Sequence, residues 1–429
     1  MNAGNLVAAC GLVILVALAW LMSLDRRRFP WRTVLWGLAL QLGFALLLLR
    51  TPWGQRAFGW ANAAVNRLLS FTDAGSAFLW GGLFRTSEDL VANLEPGGGL
   101  SWWQATDAAT GALVPLGTIF VIHVLPTIVF FSSLMAILYH LGVMQRVIRA
   151  MAWAMRRTMG TSGAESLSTA ADIFVGQTEA PLVIRPYIAS ITNSELMACM
   201  TAGFATIAGG VMVAYVRFGL DAGHLVAASV MAAPAALLTA KIMYPQTEAA
   251  PTAGGARLDI PREHANLLDA AAGGATVGLR LAANVAVMLL VFIGLVAMIN
   301  YALGWIGTSL AEIFGWIFAP LAWCLGVPWH EARIVGNLLG TKIAVNEFVA
   351  YVQMMDVVHA GGLGPRSTVI ATYALCGFAN FGSIGIQIGG IAAIAPERRA
   401  DVARLGLRAM FAGTIATLMT AAVAGFLTR

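Results

Sequence analysis

Apolar residues run through this chain in long blocks instead of alternating with polar ones. Blocks of about 20 apolar residues are long enough for an α-helix to span a bilayer core. They predict spans at 4–24, 33–49, 116–139, 196–216, 224–243, 281–304 and 405–427. Shorter or interrupted apolar stretches lie at 57–71, 166–188, 308–327, 333–357 and 368–394. No period-two alternation suggests a membrane β-barrel. The pattern predicts an all-α integral membrane protein with many spans.

Composition sharpens this reading. Hydrophobic residues make up 59% of the chain and charged residues 11%, and the mean hydropathy of +0.77 is far from that of a soluble globular domain. The first apolar run lacks a basic segment before it, so it does not read as a cleavable signal peptide. Its positive charges follow it, at Arg26, Arg27 and Arg28. Positive loops stay in the cytoplasm, which sets the N-terminus outside. Arg146, Arg149, Arg156 and Arg157 follow the third span, Lys241, Arg257 and Arg262 the fifth, and Arg398, Arg399, Arg404 and Arg408 precede the last. The stretch 85–112, with Glu88, Asp89, Glu95 and Asp107, is acidic and belongs outside. The net charge of +5 is therefore a topology signal. A nucleic-acid partner would need a concentrated basic patch, and the sequence has none.

Candidate chemistry is sparse. Cys10, Cys199, Cys324 and Cys376 are scattered in or beside apolar runs with no C-x-x-C spacing, and read as packing residues. Six histidines show no metal-ligand spacing; His123, inside a predicted span, reads as a hydrogen-bonded helix contact. G-N-L-L-G-T-K at 336–342 has the wrong spacing and order for a phosphate loop. A hydrolase built on a carboxylate pair would need a nucleophile motif or metal cluster, and neither is present.

What stands out is a pattern that occurs twice. G-F-A-T-I-A-G at 203–209 and G-F-A-N-F-G-S at 377–383 are too glycine-rich for ordinary helix. A glutamate in a broken apolar stretch precedes each, by 24 and 30 residues: Glu179 in V-G-Q-T-E-A-P and Glu347 in V-N-E-F-V-A-Y. The charge distribution gives the two broken helices opposite directions across the membrane. Paired, interrupted segments of inverted orientation point to a transport site near the bilayer midplane.

A carboxylate in hydrocarbon costs roughly 2.5–3.5 kcal/mol even on lenient insertion scales. Two of them beside chain breaks therefore imply a watery or ligand-filled cavity more than two structural hydrogen bonds. Gly176 permits a sharp turn and Pro181 removes a backbone donor, as the tip of a re-entrant hairpin requires. Asn380 and Ser383, three apart, share a helix face. Two carboxylates (Glu179, Glu347), two amides (Gln177, Asn380) and two hydroxyls (Thr178, Ser383) suit a neutral, polyhydroxylated solute and suit an anion poorly.

G-Q-T-E-A-P-L at 176–182, G-F-A-T-I-A-G, V-N-E-F-V-A-Y and G-F-A-N-F-x-S-I-x-I at 377–386 together resemble the concentrative nucleoside transporter family, in order along nearly the whole chain. The resemblance implies eight spans, two re-entrant hairpins, interfacial helices and an inverted repeat. It also implies a homotrimer in the bacterial inner membrane whose transport domain carries nucleosides past a scaffold by an elevator-like movement. The segments are 1–95, a scaffold helix pair with an interfacial stretch; 115–244, the third span, first hairpin and first broken helix; and 275–427, the second repeat and last span. By the same resemblance Gln177, Thr178, Glu179 and Val211 meet the nucleobase, and Glu347, Asn380, Ser383 and Phe378 the ribose. Asp172, Val175, Thr206 and Ile207 hold the sodium ion.

Two positions depart from the family pattern. Asp172 stands where sodium-coupled members usually carry Asn. An aspartate there serves as an ionised sodium ligand, as a proton acceptor making H+ the coupling ion, or as a plain hairpin cap or ion-pair partner. Gly382 stands where many relatives carry Ser. Three readings stay open: a sodium-driven nucleoside symporter, its proton-driven counterpart, and a carrier of another polar solute such as a nucleobase.

Overall fold

The computed structural model describes residues 3–81, 84, 119–254 and 264–428. The acidic stretch 85–112, Arg257 and Arg262 lie outside them. Among the described residues every regular element is helical. The first helices are α1 (Ala3–Leu21), α2 (Trp31–Arg50) and α3 (Pro52–Trp80); the third is capped by the Thr51 hydroxyl, which accepts from the Gly54 N–H (3.1 Å). Next come α4 (Leu125–His140), entered through a single turn at Phe120–His123, and α5 (Val143–Met159). In α5 only Met144, Ile148, Ala152, Met155 and Met159 are buried, so one stripe faces the protein while Arg146, Arg149, Arg156 and Arg157 stay off it.

The first hairpin follows. Its entering arm is α6 (Gly163–Asp172), buried at every residue, and its leaving arm is the tight turn Ala180–Ile184, which packs back on α6. A helix then breaks in two: α7 (Asn193–Ala205), three non-helical residues, and α8 (Gly209–Arg217). Two long helices, α9 (Ala222–Met243) and α10 (Leu267–Gly304), close the first half.

The second half repeats this order. After α11 (Leu310–Cys324) come α12 (Trp329–Ala344) and α13 (Glu347–His359), which lie side by side across the two-residue link Val345–Asn346 and form the second hairpin. The second broken helix is α14 (Pro365–Leu375), an interruption at Cys376–Asn380, and α15 (Phe381–Ile394). Finally α16 (Arg399–Leu427) is buried along most of its length against α1, α7, α9 and α14. The stretch 336–342 lies within α12, so it is helix and no phosphate loop.

Among the described residues seven helices are long and apolar enough to cross a bilayer, matching the seven blocks read from the sequence. The sixth is longer than its hydropathy suggests: α10 begins at Leu267, not near 281. Its buried positions, Ala270, Gly274, Gly278 and Ala282, recur every fourth residue and lie on α4. A Cβ on Gly274 would come within 2.7 Å of the Ser132 carbonyl, so the missing side chain lets the two backbones touch.

Two basic residues read as topology charges have structural roles. Lys241 is buried and pairs with Glu165 (2.7 Å) while donating to Ser194 Oγ and Gln246 Oε1 (both 3.0 Å). Glu165 also accepts from the Ser162 N–H that opens the first hairpin (2.6 Å). Arg398 donates to the carbonyls of Ile188 (3.1 Å) and Ile191 (2.6 Å), holding the exit of that hairpin.

Candidate functional site

The two chain breaks cross. The Phe378 N–H in the second donates to the Thr206 carbonyl in the first (3.3 Å). Gly377 makes the crossing possible: its φ is +146°, and a Cβ there would sit 2.8 Å from the Phe204 carbonyl oxygen and from Thr417 Cγ2. The short similarity between the repeats is out of register with this geometry. Gly203–Ala205 end helix α7, whereas Gly377–Ala379 lie in the break itself.

Each hairpin tip reaches this crossing. In the second, Asn346 caps α13 through the Val349 N–H (2.9 Å), which brings Glu347 to the first position of the helix. Glu347 is buried and bonded at both oxygens: Tyr215 Oη donates to Oε1 (2.9 Å) and Asn380 Nδ2 to Oε2 (3.1 Å). Asn380 can donate because its own Oδ1 is engaged as the cap of α15, accepting from the Ser383 N–H (2.9 Å). Glu347, Asn380 and Ser383, grouped from the sequence, are thus one hydrogen-bonded unit, with Phe378 beside it.

In the first hairpin, Gln177 Oε1 accepts from Gln387 Nε2 (3.1 Å), which also donates to the Met200 carbonyl (3.0 Å). Thr178 packs on Gly390, where an added Cβ would lie 3.0 Å from its Cγ2. Val211 is buried on α8, one turn before Tyr215. Glu179 takes a different direction. It lines a cavity of about 490 Å³ between the hairpin tip and the α4–α10 pair, together with Tyr139, Val175, Ala208 and Arg280.

Asp172, the last residue of α6, is 1% exposed, and neither carboxylate oxygen has a hydrogen-bond partner. The plain readings of this residue, a cap or an ion pair with an arginine, are therefore not what the structure contains. A buried carboxylate left bare is costly, and either a cation or a proton would relieve it. The Thr169 hydroxyl, three residues earlier on the same helix, is also buried and unpartnered. Val175, Thr206 and Ile207 are buried close by in the chain path: the Gly209 N–H donates to the Phe174 carbonyl (2.9 Å), tying the tip to the first break. The Thr206 hydroxyl donates to Ala202 O (2.9 Å), which leaves its lone pairs available. Carboxylate, hydroxyl and carbonyl oxygens are the donor set that a hard monovalent cation takes, so these residues fit the implied ion.

This hydrogen-bonded crossing of two hairpins and two broken helices has a counterpart among known proteins. The chain matches the family models described as Na+ dependent nucleoside transporter N-terminus at residues 10–83, nucleoside recognition at 121–221, and Na+ dependent nucleoside transporter C-terminus at 224–425. It belongs to the concentrative nucleoside transporter family. As a family member it is a transporter and not an enzyme. Among its relatives, an uncharacterized transporter of Haemophilus influenzae is 46% identical over 97% of this chain and 96% of that one. Human solute carrier family 28 member 3 is 41% identical over 99% of this chain and 60% of the human one, and rat sodium/nucleoside cotransporter 1 is 40% identical over 99% and 64%. The chain therefore spans about three fifths of these mammalian proteins. Among solved structures, CNTnw in an inward-facing substrate-bound state superposes with a TM-score of 0.90 at 43% identity, covering 100% of both chains. A substituted CNTnw in an outward-facing state gives 0.87 at 42% identity, covering 99% and 98%.

Three residues that the structure brings to this candidate site escape the sequence reading: Tyr215, Gln387 and Lys342. Tyr215 and Gln387 lie beyond the breaks, and their facing depends on the register at which each helix restarts. Gln387 did carry a signal, as the one amide in the apolar run of α15, four residues past Ser383. Lys342, buried on α12, was dismissed with the mis-spaced phosphate loop.

Proposed function

We propose that the chain is a cation-coupled symporter that brings nucleosides into the cell. The observation that carries this reading is the pair of crossed breaks with a bonded carboxylate, Glu347, on one side and a bonded amide, Gln177, on the other. A nucleoside offers a vicinal diol to the first and a hydrogen-bonding base edge to the second. Glu347, Asn380, Ser383 and Phe378 take the ribose; Gln177, Thr178, Glu179 and Val211 take the base. Asp172 with Val175, Thr206 and Ile207 takes the sodium ion, which would neutralise the bare carboxylate and stiffen the tip carrying Gln177. Cation and solute would then each favour the same closed arrangement, and that mutual preference is the coupling.

Transport follows as an elevator: the hairpins, broken helices, α9 and α16 move as a body past a scaffold that includes α4 and α10. The cavity at Glu179 lies beside α5, on the basic and therefore cytoplasmic end, and fits an inward-open arrangement. The exposed apolar faces of α3 and α10 suit lipid and the neighbouring subunits of a trimer in the inner membrane.

Asp172 supports one second reading, proton coupling, because an orphaned carboxylate is relieved equally by H+. Uridine uptake into proteoliposomes under an imposed sodium gradient or an imposed proton gradient, each alone, separates them. Accumulation with neither gradient above the downhill level would sink symport altogether.

A further inference from the structure

The two repeats differ in how they supply positive charge to their broken helices. In the first, α7 ends at Ala205 with no basic residue in its last turn, and the facing hairpin brings only the unpartnered Asp172. In the second, α14 ends at Leu375, again with no basic residue of its own. Here the hairpin delivers one. Lys342, in the last turn of α12, is 1% exposed; its Nζ donates to the Ala374 carbonyl (2.9 Å) and to Thr417 Oγ1 on α16 (3.1 Å).

The placement is electrostatically specific. The last carbonyls of a helix lack intrahelical partners and carry partial negative charge. Lys342 caps that end of α14 and stands five residues before Glu347 in the chain. Its acceptors, a main-chain carbonyl at a helix end and a threonine hydroxyl, are the same kinds of oxygen that Thr206 and Ile207 present in the first repeat. A lysine in so buried a position is otherwise unfavourable, and its neighbourhood answers with the helix-end carbonyl of Ala374 and the Thr417 hydroxyl.

We propose that Lys342 is a tethered cation: it does permanently for the second repeat what the coupling ion does reversibly for the first. The chain therefore couples one cation, not two, to each solute molecule. This rests on the cation-symport reading above. The competing role is a strut that merely holds α12 to α14 and α16, and a strut has no bearing on how many ions are carried.

The test is the cation-to-uridine ratio, from reversal potentials in proteoliposomes, together with the cation dependence of uridine affinity in Lys342→Gln, Lys342→Met and Lys342→Arg. The wild type should carry one cation per uridine. In the Gln and Met variants the second repeat lacks its charge. Uridine affinity at low cation concentration should fall at least about tenfold, recover at high concentration, and follow the second power of cation concentration where the wild type follows the first. Lys342→Arg should keep first-power behaviour. Folded Gln and Met variants with unchanged first-power dependence, or with affinity lost at every cation concentration, would overturn the proposal. If neither variant folds, the wild-type ratio decides: one supports it and two refutes it. A ratio of zero would remove the symport reading itself, a distinguishable result.

Discussion

Replacing Glu347 by glutamine tests the ribose assignment most directly. The carboxylate accepts from Tyr215 Oη at 2.9 Å and Asn380 Nδ2 at 3.1 Å, one donor on each oxygen. An amide keeps the shape but turns one acceptor into a donor. Asn380 cannot rotate to compensate, because its Oδ1 is held by the Ser383 N–H. The variant's Nε2 must therefore face the Tyr215 hydroxyl, which can accept, and a single acceptor oxygen remains for Asn380 and the solute. A ribose diol that engaged both oxygens loses one charge-assisted hydrogen bond, worth about 1.5–3 kcal/mol. That converts to roughly 10- to 150-fold weaker uridine binding. Calorimetry on purified protein, with a 2′,3′-dideoxy analogue beside uridine, supplies the reading. The variant should close the affinity gap between the two, since the diol is what the carboxylate distinguishes. Uridine binding within about threefold of wild type, with the gap preserved, would refute the ribose role of Glu347.

Other outcomes are expected. Gln177→Ala should change the ratio of uridine to adenosine uptake while leaving the requirement for ribose hydroxyls intact; competition assays with base and sugar analogues check this. Asp172→Asn removes the titratable group, so it should abolish any proton-driven accumulation and retain sodium-driven accumulation; proton-driven uptake surviving in the variant would contradict the role of Asp172. Gly377→Ala places a methyl 2.8 Å from the Phe204 carbonyl at a φ of +146°, and should cost about 1–3 kcal/mol, visible as a lowered Tm in detergent. Lys241→Met strands Glu165 in the interior and should destabilise by about 3–5 kcal/mol; adding Glu165→Gln should restore much of the lost Tm.

The spans were legible because hydrocarbon imposes one rule on every residue within it, and block hydropathy reads that rule directly. The exception is instructive. The opening of α10, L-L-D-A-A-A-G-G-A-T-V-G, is weakly hydrophobic because it needs small residues to meet α4, and a hydropathy reading stops short of it. Hairpin tips were legible through Glu179 and Glu347, since an intramembrane carboxylate beside a chain break has few bland explanations. Partners across the site were not. Whether Tyr215 or Gln387 faces the crossing depends on the angle at which a helix resumes after its interruption, and sequence spacing is silent on that angle. Lys241 and Arg398 show the converse: both fit the charge rule for cytoplasmic loops, yet each is engaged with hairpin carbonyls or carboxylates in the interior.

The joint between the two breaks is made of main chain on both sides, from the Phe378 N–H to the Thr206 carbonyl. Every residue except proline carries those groups, so the joint is indifferent to which side chains flank it, provided a glycine precedes Phe378. Mutational drift can therefore rewrite the pocket around a fixed knot. A lineage can exchange one solute for another, or one ion for another, by altering side chains such as that at position 172, without re-engineering how the two halves of the molecule are fastened together.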